Sequence, residues 1–286
     1  MSVHILADSA CDLPISYFDN HSVSFIPLKV HLNGKEYEDG KTIQSKTVYE
    51  EMRNGAAPKT SQASPEYMEK LFTNLAVEKK QGIYIAFSSE LSGTYQTAVM
   101  IRNQVKESHP DLDLEIVDSK CASMGYGLVV MNAIKLASEG ASKEEILKDV
   151  KFRCQHMEHL FTVDNLEYLS RGGRISKASA FVGGLLNIKP LLHVEEGKLI
   201  PLDKIRGKKK LLKRVIELMH ERGTGLKDQT IAISHGDDEE TALEWKEAIQ
   251  AEFGTEHIEI QMIGSAIGAH AGPGTIALFF LNKLPE

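Results

Sequence analysis

Hydroxyl and carboxylate side chains follow three apolar segments of the sequence, at the point where each segment ends. Because the carboxyl ends of parallel strands share one edge of a sheet, we expect the three following loops to converge in the crevice at that edge. They bring no obvious activating base, so the pattern predicts a site that holds an anion. The segments, each with its loop, are residues 3–7 with Asp8 and Ser9, residues 83–87 with residues 88–94, and residues 114–117 with Asp118 and Ser119.

The loop 88–94 contains the donors that an anion needs. The predicted helix that begins near Thr94 offers unpaired backbone N–H groups and the positive end of its dipole. Ser92 and Thr94 add hydroxyl donors, and Gly93 permits close approach of an anion to the backbone. A carboxylate or a phosphate would fit this loop. The alternative is that the same hydroxyls only cap the helix.

A second hydroxyl-rich loop, residues 59–65, precedes another predicted helix. Ser64 and Pro65 are a good capping residue and a good first-turn residue for that helix. Thr60 and Ser61 lie beyond what one cap needs, and we expect both to face the same crevice. The alternative is that the whole loop serves the cap.

Two arginines bracket two glycines in the segment 164–176, which is predicted to be a loop. The planar guanidinium groups of Arg171 and Arg174 suit a phosphate, and the glycines indicate a flexible turn. We therefore expect both arginine side chains to flank the loop instead of lining a closed core. The alternative is a turn with two solvated arginines.

Two further segments carry residues suited to an anion. The glycine-dense segment 264–274 is predicted to be a loop with His270 at its centre, either as a donor to the anion or as a buried, hydrogen-bonded histidine.

Between Lys204 and Arg214 there are seven basic residues and no acidic one. Such a run is typical of a solvated face, and the alternative is attraction of an acidic partner or a nucleotide.

The composition argues against several classes of function. The chain has 286 residues and a net charge of −7, and neither half is basic, which argues against nucleic acid as a partner. No apolar run approaches the ~20 residues that a membrane span needs. No signal peptide is recognised before the first strand, so we expect a cytoplasmic protein. Cys11, Cys121 and Cys154 are expected to be free thiols of a reducing compartment.

Familiar nucleotide, nucleophile and metal motifs are missing from the sequence. There is no P-loop, no G-x-G-x-x-G after a strand and no G-x-S-x-G. The group Cys154, His156 and His159 has no fourth ligand nearby, which argues against a metal ion. The sequence therefore predicts neither a cofactor nor a metal.

Strands and helices alternate along the first half of the chain, which predicts crossover units and a mostly parallel sheet with flanking helices. Asn33-Gly34 predicts a hairpin within that half. In the second half, residues 191–194 and 198–201 predict another hairpin, so that half is expected to be mixed α/β with antiparallel strands. The predicted fold class is α/β with two domains. We place an N-terminal α/β domain at residues 1–155 and a C-terminal α/β domain at residues 156–286.

Taken together, these loops resemble the DegV family, the fatty-acid-binding subunits of bacterial fatty acid kinase. The matching segments occur in family order along nearly the whole chain, so the ordered set is specific although each loop alone is weak. One departure is Ala63, where a proline is common in the family. The matching segments are residues 8–9, 59–62, 88–89, 91–95, 118–119, 166–169, 171–175, 189–190, 206–209, 235–237 and 268–274.

The resemblance implies a two-domain α/β protein with a long-chain fatty acid, of about 14–18 carbons, buried between the domains. The family's carboxylate-binding threonine and serine match Thr60 and Ser92, with His270 nearby. The family's arginine-bracketed loop, here Arg171 to Arg174, lies by the carboxyl end and docks the kinase subunit. By this resemblance the chain is a carrier and not an enzyme. A separate kinase transfers phosphate from ATP to the carboxylate, and the acyl phosphate serves phospholipid synthesis.

Two other functions stay open at this point: a cleft enzyme, namely a small-molecule phosphotransferase or hydrolase, and a regulatory module that uses the lipid as a signal. The apolar stretch 180–186, with Ile188, is predicted to wall the acyl tunnel, the alternative being ordinary core packing. The residues predicted to bind the fatty acid are Thr60, Ser61, Ser92, Gly93 and His270.

Overall fold

The computed structural model describes residues 3–21, 23–175 and 188–285. The stretch 180–186, predicted to wall the tunnel, lies outside the described residues. Within the described residues, no helix is both long and apolar enough to cross a membrane. The strands are β1 (His4–Asp8), β2 (Ser24–Ile26), β3 (Lys29–Leu32), β4 (Lys35–Glu38), β5 (Lys59–Ser61), β6 (Gly82–Ala86), β7 (Leu114–Asp118), β8 (Met157–Thr162), β9 (Ile188–Glu195), β10 (Lys198–Arg206), β11 (Ile231–His235), β12 (Ile258–Met262) and β13 (Ile276–Leu281). The α-helices are α1 (Ile15–His21), α2 (Ser45–Arg53), α3 (Pro65–Val77), α4 (Thr94–Ser108), α5 (Ser123–Ser138), α6 (Lys143–His156), α7 (Glu167–Arg171), α8 (Lys208–Arg222), α9 (Glu239–Phe253) and α10 (Ser265–Ala271).

Four strands of the first half form a parallel sheet in the order β2-β1-β6-β7. All five residues of β6 are buried, because helices cover both faces of the sheet. Helices α3 and α4 cover one face through Phe72 and Ile101, and α5 covers the other through Tyr126 and Val129. The carboxyl ends of β1, β6 and β7 are adjacent, so the predicted convergence of their three loops is confirmed.

A small antiparallel sheet, in the order β4-β3-β5, also belongs to the first half. The predicted hairpin is confirmed: Asn33 and Gly34 turn the chain between β3 and β4 with φ values of 50° and 76°, as this residue pair favours. Ser64 caps α3 as predicted, with its hydroxyl accepting from the Tyr67 N–H, but the prediction of a loop is wrong for the first three residues of the segment 59–65. They form β5 by pairing with β3, and three residues are too few to show strand alternation in a sequence.

The second half forms a six-stranded sheet in the order β10-β9-β8-β13-β11-β12. Neighbouring strands are antiparallel except β11 and β12, which are parallel. The predicted hairpin of β9 and β10 is confirmed, and Glu196 and Gly197 form its turn with φ values of 49° and 81°. The fold class is therefore as predicted, a parallel sheet with flanking helices followed by a mixed sheet with antiparallel strands. The boundary at residues 155 and 156 stays a prediction.

The glycine-dense segment 264–274 contains helix α10, so the prediction of a loop is wrong there. Gly264 precedes the helix, and Gly272 ends it with a φ of 82°. Inside the helix, Gly268 lies so close to Tyr49 that a Cβ there would be 2.5 Å from the tyrosine Oη. The glycines that lowered the helix propensity of this segment thus serve close packing, and tertiary contacts decide its structure.

Candidate functional site

An apolar cavity lies between the two large sheets. Its empty volume is about 950 Å³, counted with its opening to solvent, which is within the range of roughly 300–1,000 Å³ typical of small-molecule sites. The strands and loops of both halves of the chain contribute to its wall. Its apolar lining includes Leu28, Phe87, Leu91, Phe161, Leu199 and Phe279.

Four polar side chains from four different segments form a polar group on this wall. Thr60 lies on β5, Ser92 in the loop between β6 and α4, Arg174 three residues after α7, and His270 on α10. Thr60 bonds to His270, Arg174 bonds to the carbonyl of Leu91, which precedes Ser92, and the guanidinium of Arg174 acts electrostatically on His270. An apolar cavity with a small set of convergent polar groups is the usual form of a ligand site.

Thr60 and His270 are joined by a hydrogen bond of 2.6 Å between Thr60 Oγ1 and His270 Nε2. Burial first, and then the neighbouring Arg174 guanidinium, lower the pKa of His270 to about 4. The imidazole is therefore neutral at pH 7. A Cβ on Gly172 would lie 2.1 Å from His270 Nδ1, so the loop after α7 can pass the ring only with glycine at that position.

Ser61 lines the cavity, as predicted, but its hydroxyl does not bond to this group. It is exposed on the cavity wall, and its hydroxyl lies 3.0 Å from His31 Nε2. Successive side chains of a strand point to opposite faces. Because residues 59–61 form a strand, the hydroxyls of Thr60 and Ser61 cannot share one side.

Ser92 lines the cavity and also bonds to the first residue of α4, whose N-cap is Gly93, so both alternatives for its loop hold in part. Its hydroxyl accepts a hydrogen bond from the Thr94 backbone N–H at 3.2 Å and lies 2.9 Å from Thr94 Oγ1. Gly93 also lines the cavity, and a Cβ there would meet Gln62 Oε1 at 2.7 Å. The loop 88–94 is thus close to residues 60–62, as the sequence predicts.

The two arginines were predicted to flank a loop outside the cavity, and the structure contradicts this for Arg174. Gly173, with a φ of 70°, turns the chain back after α7, and Arg174 is half-buried and lines the cavity. Its guanidinium donates from Nε to the Leu91 carbonyl at 3.1 Å and from Nη1 to the Gly172 carbonyl. Arg171 is exposed, and its guanidinium lies 5.0 Å from the centre of the Tyr168 ring.

The other two converging loops hold the protein together instead of facing the cavity. Asp8 is fully buried, and its Oδ2 accepts hydrogen bonds from Tyr84 Oη at 3.0 Å and from the Phe87 N–H at 2.9 Å. Burial raises the pKa of Asp8 to about 6, although these bonds oppose the rise. Asp118 Oδ1 accepts from the Ser89 N–H at 3.0 Å. Only the loop after β6 therefore brings donors to the cavity.

The remaining candidate segments lie apart from the cavity. In the basic run, Arg214 pairs with Asp203 at 3.0 Å and Glu221 at 2.9 Å, so acids that flank the run in the sequence neutralise part of its charge. In the segments that the structure describes, no group of three or more His, Cys, Asp or Glu side chains is placed to hold a metal ion.

Sequence reasoning missed two features of the site. It did not predict that Arg174 lines the cavity, and it did not predict the apolar wall around Arg174. The available signal was the pair Gly172-Gly173, because a left-handed turn next to an arginine can reverse its side chain toward the interior. The apolar lining comes from many separate elements and loops of both halves of the chain, and no local pattern in a sequence shows such a surface.

The fold and the cavity define an α/β protein of two domains that encloses an apolar space ending at neutral hydroxyl and imidazole groups and one arginine. The chain belongs to the DegV family, since the family model described as "Uncharacterised protein, DegV family" matches residues 2–283.

Relatives of this chain are named for fatty acid binding. A protein of Thermotoga maritima, named "Fatty acid-binding protein", is 34% identical over 288 residues, with 96% of each chain covered. A structure described as fatty acid binding of a DegV family protein from Thermus thermophilus has a TM-score of 0.88 at 32% identity, covering 98% of this chain and 99% of that chain. A stearic acid-binding protein from Eubacterium ventriosum has a TM-score of 0.88 at 26% identity, with 97% of each chain covered.

Proposed function

We propose that this chain binds a long-chain fatty acid and presents its carboxylate to a separate kinase, which forms an acyl phosphate from it. The observation that carries the first part is Arg174. Its guanidinium is half-buried at the wall of an apolar cavity, and no carboxylate pairs with it in the part of the chain that the structure describes. A partly buried cation without an anion is unfavourable, and a fatty acid supplies both the anion and the apolar chain.

The three hydrogen-bond donors at the polar end suit one carboxylate. If the neutral imidazole carries its proton on Nε2, it donates to Thr60 Oγ1, and the Thr60 hydroxyl is then free to donate to the ligand. The Ser92 hydroxyl oxygen accepts from the Thr94 N–H, and if it also accepts from the Thr94 hydroxyl, its own proton is free for the ligand. Arg174 Nη2 completes the set, and hydrogen bonds to a charged group contribute about 1.5–3 kcal/mol each.

The apolar part of the cavity suits the acyl chain. Burial of about 16 carbons contributes roughly 12 kcal/mol at about 0.8 kcal/mol per methylene, of which association and ordering take back a large part. The stearic acid-binding relative supports a ligand of about this length. We therefore keep the predicted range of about 14–18 carbons.

The second part of the proposal rests on the exposed side of the polar end. Arg171 lies there, and its nearest acidic partner is Glu167 at 3.7 Å, an exposed pair one helical turn away. Such a pair contributes little, so the guanidinium is available to a partner. We propose that Arg171 docks the kinase, that the chain acts in the cytoplasm, and that it does not catalyse phosphoryl transfer alone.

One contact favours a second candidate, a cleft enzyme. Thr60 Oγ1 and His270 Nε2, 2.6 Å apart, have the geometry of a nucleophile and its base. However, a general base is most effective when its pKa is near the working pH, and the pKa of His270 is lowered to about 4. Turnover of acyl esters or phosphate esters by the isolated protein would favour the enzyme.

The proposal is tested in two steps. Mass spectrometry of an organic extract from the purified protein is expected to return a fatty acid, and the delipidated protein is expected to bind added fatty acid. The bound acid is then offered to the kinase with ATP, where Arg171→Ala is expected to reduce acyl phosphate formation tenfold or more without changing fatty acid affinity. A folded protein that neither carries nor binds fatty acid contradicts the first part, and full phosphorylation by the variant contradicts the docking role.

A further inference from the structure

Helix α10 carries His270, and two carboxyl groups from the other half of the chain bind its first residues. Asp12 Oδ1 accepts from the Gly264 N–H at 2.9 Å. Asp39 Oδ1 accepts from the Ser265 N–H at 3.0 Å. The first N–H groups of a helix have no partner within the helix, and the N-cap residue, Gly264, has no side chain that could supply one. Asp12 and Asp39 therefore take the place of a capping side chain.

Both carboxyl groups are buried in the first half of the chain. Asp12 lies in the segment after β1, and Asp39 directly follows β4. Burial raises the pKa of each carboxyl group, and the bonds from the N–H groups at the start of α10 oppose the rise. Because a buried carboxyl group is unfavourable unless it is hydrogen-bonded, the two side chains and the start of α10 stabilise each other.

The rest of α10 is also held by the first half, although the helix lies between two strands of the second half. Tyr49, fully buried on α2, donates from Oη to the Ile263 carbonyl at 3.1 Å, and Gly268 packs against the same tyrosine. At the other end of the helix, His270 bonds to Thr60 on β5. Both the start and the end of α10 are thus bound to the first half of the chain.

The start of α10 has little freedom to shift. A Cβ on Gly264 would lie 2.7 Å from Asp12 Oδ1 and 3.6 Å from Asp39 Oδ2, so both carboxyl groups crowd the backbone at this point. The hydrogen bonds between successive turns make a helix stiff, and His270 lies in its last turn. A hydrogen bond weakens beyond a donor–acceptor distance of about 3.2 Å, so a shift of α10 by about 1 Å would weaken the contact between His270 and Thr60.

We propose that Asp12 and Asp39 are positioning residues of the carboxylate site, because they fix the start of α10 and thereby the place of the His270 ring. Neither side chain lines the apolar cavity, so both act on the ligand only through His270 and the Thr60 hydroxyl that it orients. This inference rests on the proposed function, since it assigns two further residues to the same site.

The first test measures the ratio of acid affinity to alcohol affinity by calorimetry, with hexadecanoic acid and hexadecanol on delipidated variants. Asp12→Ala and Asp39→Ala are each expected to lower this ratio roughly threefold to tenfold, as the loss of one hydrogen bond does. Asp39→Asn keeps an acceptor oxygen for the Ser265 N–H and is expected to keep the ratio. The matched control is Asp8→Ala, which removes a buried carboxyl group that bonds to β6 and the residue after it. It is expected to lower the free energy of unfolding without changing the ratio.

Three outcomes of this test are distinct. An unchanged ratio in folded Asp12→Ala and Asp39→Ala overturns the inference. An equal fall in Asp8→Ala also overturns it, because any loss of stability would then lower the ratio. A parent protein that does not prefer the acid would instead overturn the proposed function. Denaturant unfolding, followed by circular dichroism, shows which variants are folded.

A second variant keeps both carboxyl groups and therefore tests the inference even where their removal unfolds the protein. Gly264 has a φ of −63°, which alanine adopts without strain. In Gly264→Ala the new Cβ would lie 2.7 Å from Asp12 Oδ1, so the start of α10 has to move. The ratio is expected to fall in this variant too, and a folded Gly264→Ala with the ratio of the parent protein overturns the inference.

A double-variant cycle separates positioning from a direct effect on the ligand. If Asp39 acts only through the imidazole, Asp39→Ala is expected to lower the ratio in the parent protein and to leave it unchanged in the His270→Ala background. Independent residues do not show such coupling. An equal fall in both backgrounds would mean that Asp39 acts on the ligand by another route, which overturns the inference.

Discussion

Two histidines on the same cavity wall have opposite kinds of partners. Burial lowers the pKa of both His159 and His270 to about 4, so both rings are neutral at pH 7. His159 is surrounded by backbone: its Nδ1 lies 3.1 Å from the Met157 carbonyl, and its Nε2 accepts from the Ala122 N–H at 3.3 Å. These two bonds use both ring nitrogens and fix one tautomer.

His270 instead bonds to a hydroxyl and lies beside a guanidinium. Its Nε2 is 2.6 Å from Thr60 Oγ1, and Arg174 contributes to the lowering of its pKa. A hydroxyl can turn its proton from one acceptor to another, whereas a backbone N–H or carbonyl cannot. We therefore propose that the partners of the ring, and not the pKa, distinguish a histidine of a ligand site from a histidine of the core.

The largest loss of fatty acid affinity is expected on substitution of Arg174. This arginine lies beside His270, and His159 has no such neighbour among its hydrogen-bond partners. Arg174→Ala is expected to weaken fatty acid binding by about 3 kcal/mol, or roughly a hundredfold, because up to two hydrogen bonds to a charged group are lost. Calorimetry on the delipidated variant measures this, with Arg171→Ala as the control that retains affinity. Binding by Arg174→Ala at the level of the parent protein would remove Arg174 from the site.

The next largest losses of affinity are expected on removal of the Thr60 and Ser92 hydroxyls. Thr60→Ala and Ser92→Ala are each expected to weaken fatty acid binding by about 1–3 kcal/mol, the range for a lost bond to a charged group. Ser61→Ala is the matched control, since the Ser61 hydroxyl is occupied by His31, and it is expected to change affinity by less than about 0.5 kcal/mol. Equal losses at Ser61 and Thr60 would show that the strand does not separate their roles.

Substitution of His270 is expected to affect mainly ligand binding, and substitution of His159 is expected to affect mainly the stability of the fold. His270→Ala is expected to weaken acid binding by about 0.5–1.5 kcal/mol, because the Thr60 hydroxyl loses the partner that orients it. His159→Ala is expected to lower the free energy of unfolding by about 2–4 kcal/mol, as other large-to-small changes in a core do, while the preference for acid over alcohol persists. Denaturant unfolding and calorimetry measure the two quantities, and the reverse assignment would refute the comparison.

Ligand binding is expected to shift the pKa of one histidine only. A bound carboxylate stabilises the protonated imidazole, so the pKa of His270 is expected to rise above its ligand-free value of about 4, and that of His159 is expected to stay near 4. Because the bound state then takes up a proton more readily, affinity for the carboxylate form is expected to rise as pH falls toward the raised pKa. NMR titration of the ring nuclei with and without fatty acid checks this, and unchanged titration of both rings would contradict it.

Much of the site was predictable from sequence because its hydroxyl residues lie at the ends of strands and helices. The order of strands and helices implies a parallel sheet, and a parallel sheet brings the loop with Ser92 to the same edge as those after β1 and β7. The loops that carry Asp8 and Asp118 were expected to enter the same crevice, yet these two carboxylates accept hydrogen bonds from the Tyr84 hydroxyl and the Ser89 N–H. Whether a carboxylate faces a ligand or a neighbouring loop depends on packing that a single sequence does not display.

The parts that were missed depend on backbone dihedrals and on long-range pairing. Arg174 turns inward because Gly173 adopts a φ of 70°, which glycine permits but does not require. The Ser61 hydroxyl bonds to His31 and not to the polar group, because residues 59–61 pair with β3. A strand of three residues gives too short a pattern to predict this pairing from the sequence. Helix α10 forms although glycine disfavours it, because Gly268 packs on Tyr49.

The most direct test of the account compares a fatty acid with the alcohol of the same chain length on the delipidated parent protein. Both ligands bury the same methylenes, so a difference in affinity reports only the polar end of the cavity. Calorimetry is expected to show the acid binding at least tenfold tighter, since each hydrogen bond to a charged group contributes about 1.5–3 kcal/mol. If the alcohol binds as tightly as the acid, the group formed by Thr60, Ser92, Arg174 and His270 is not a carboxylate site.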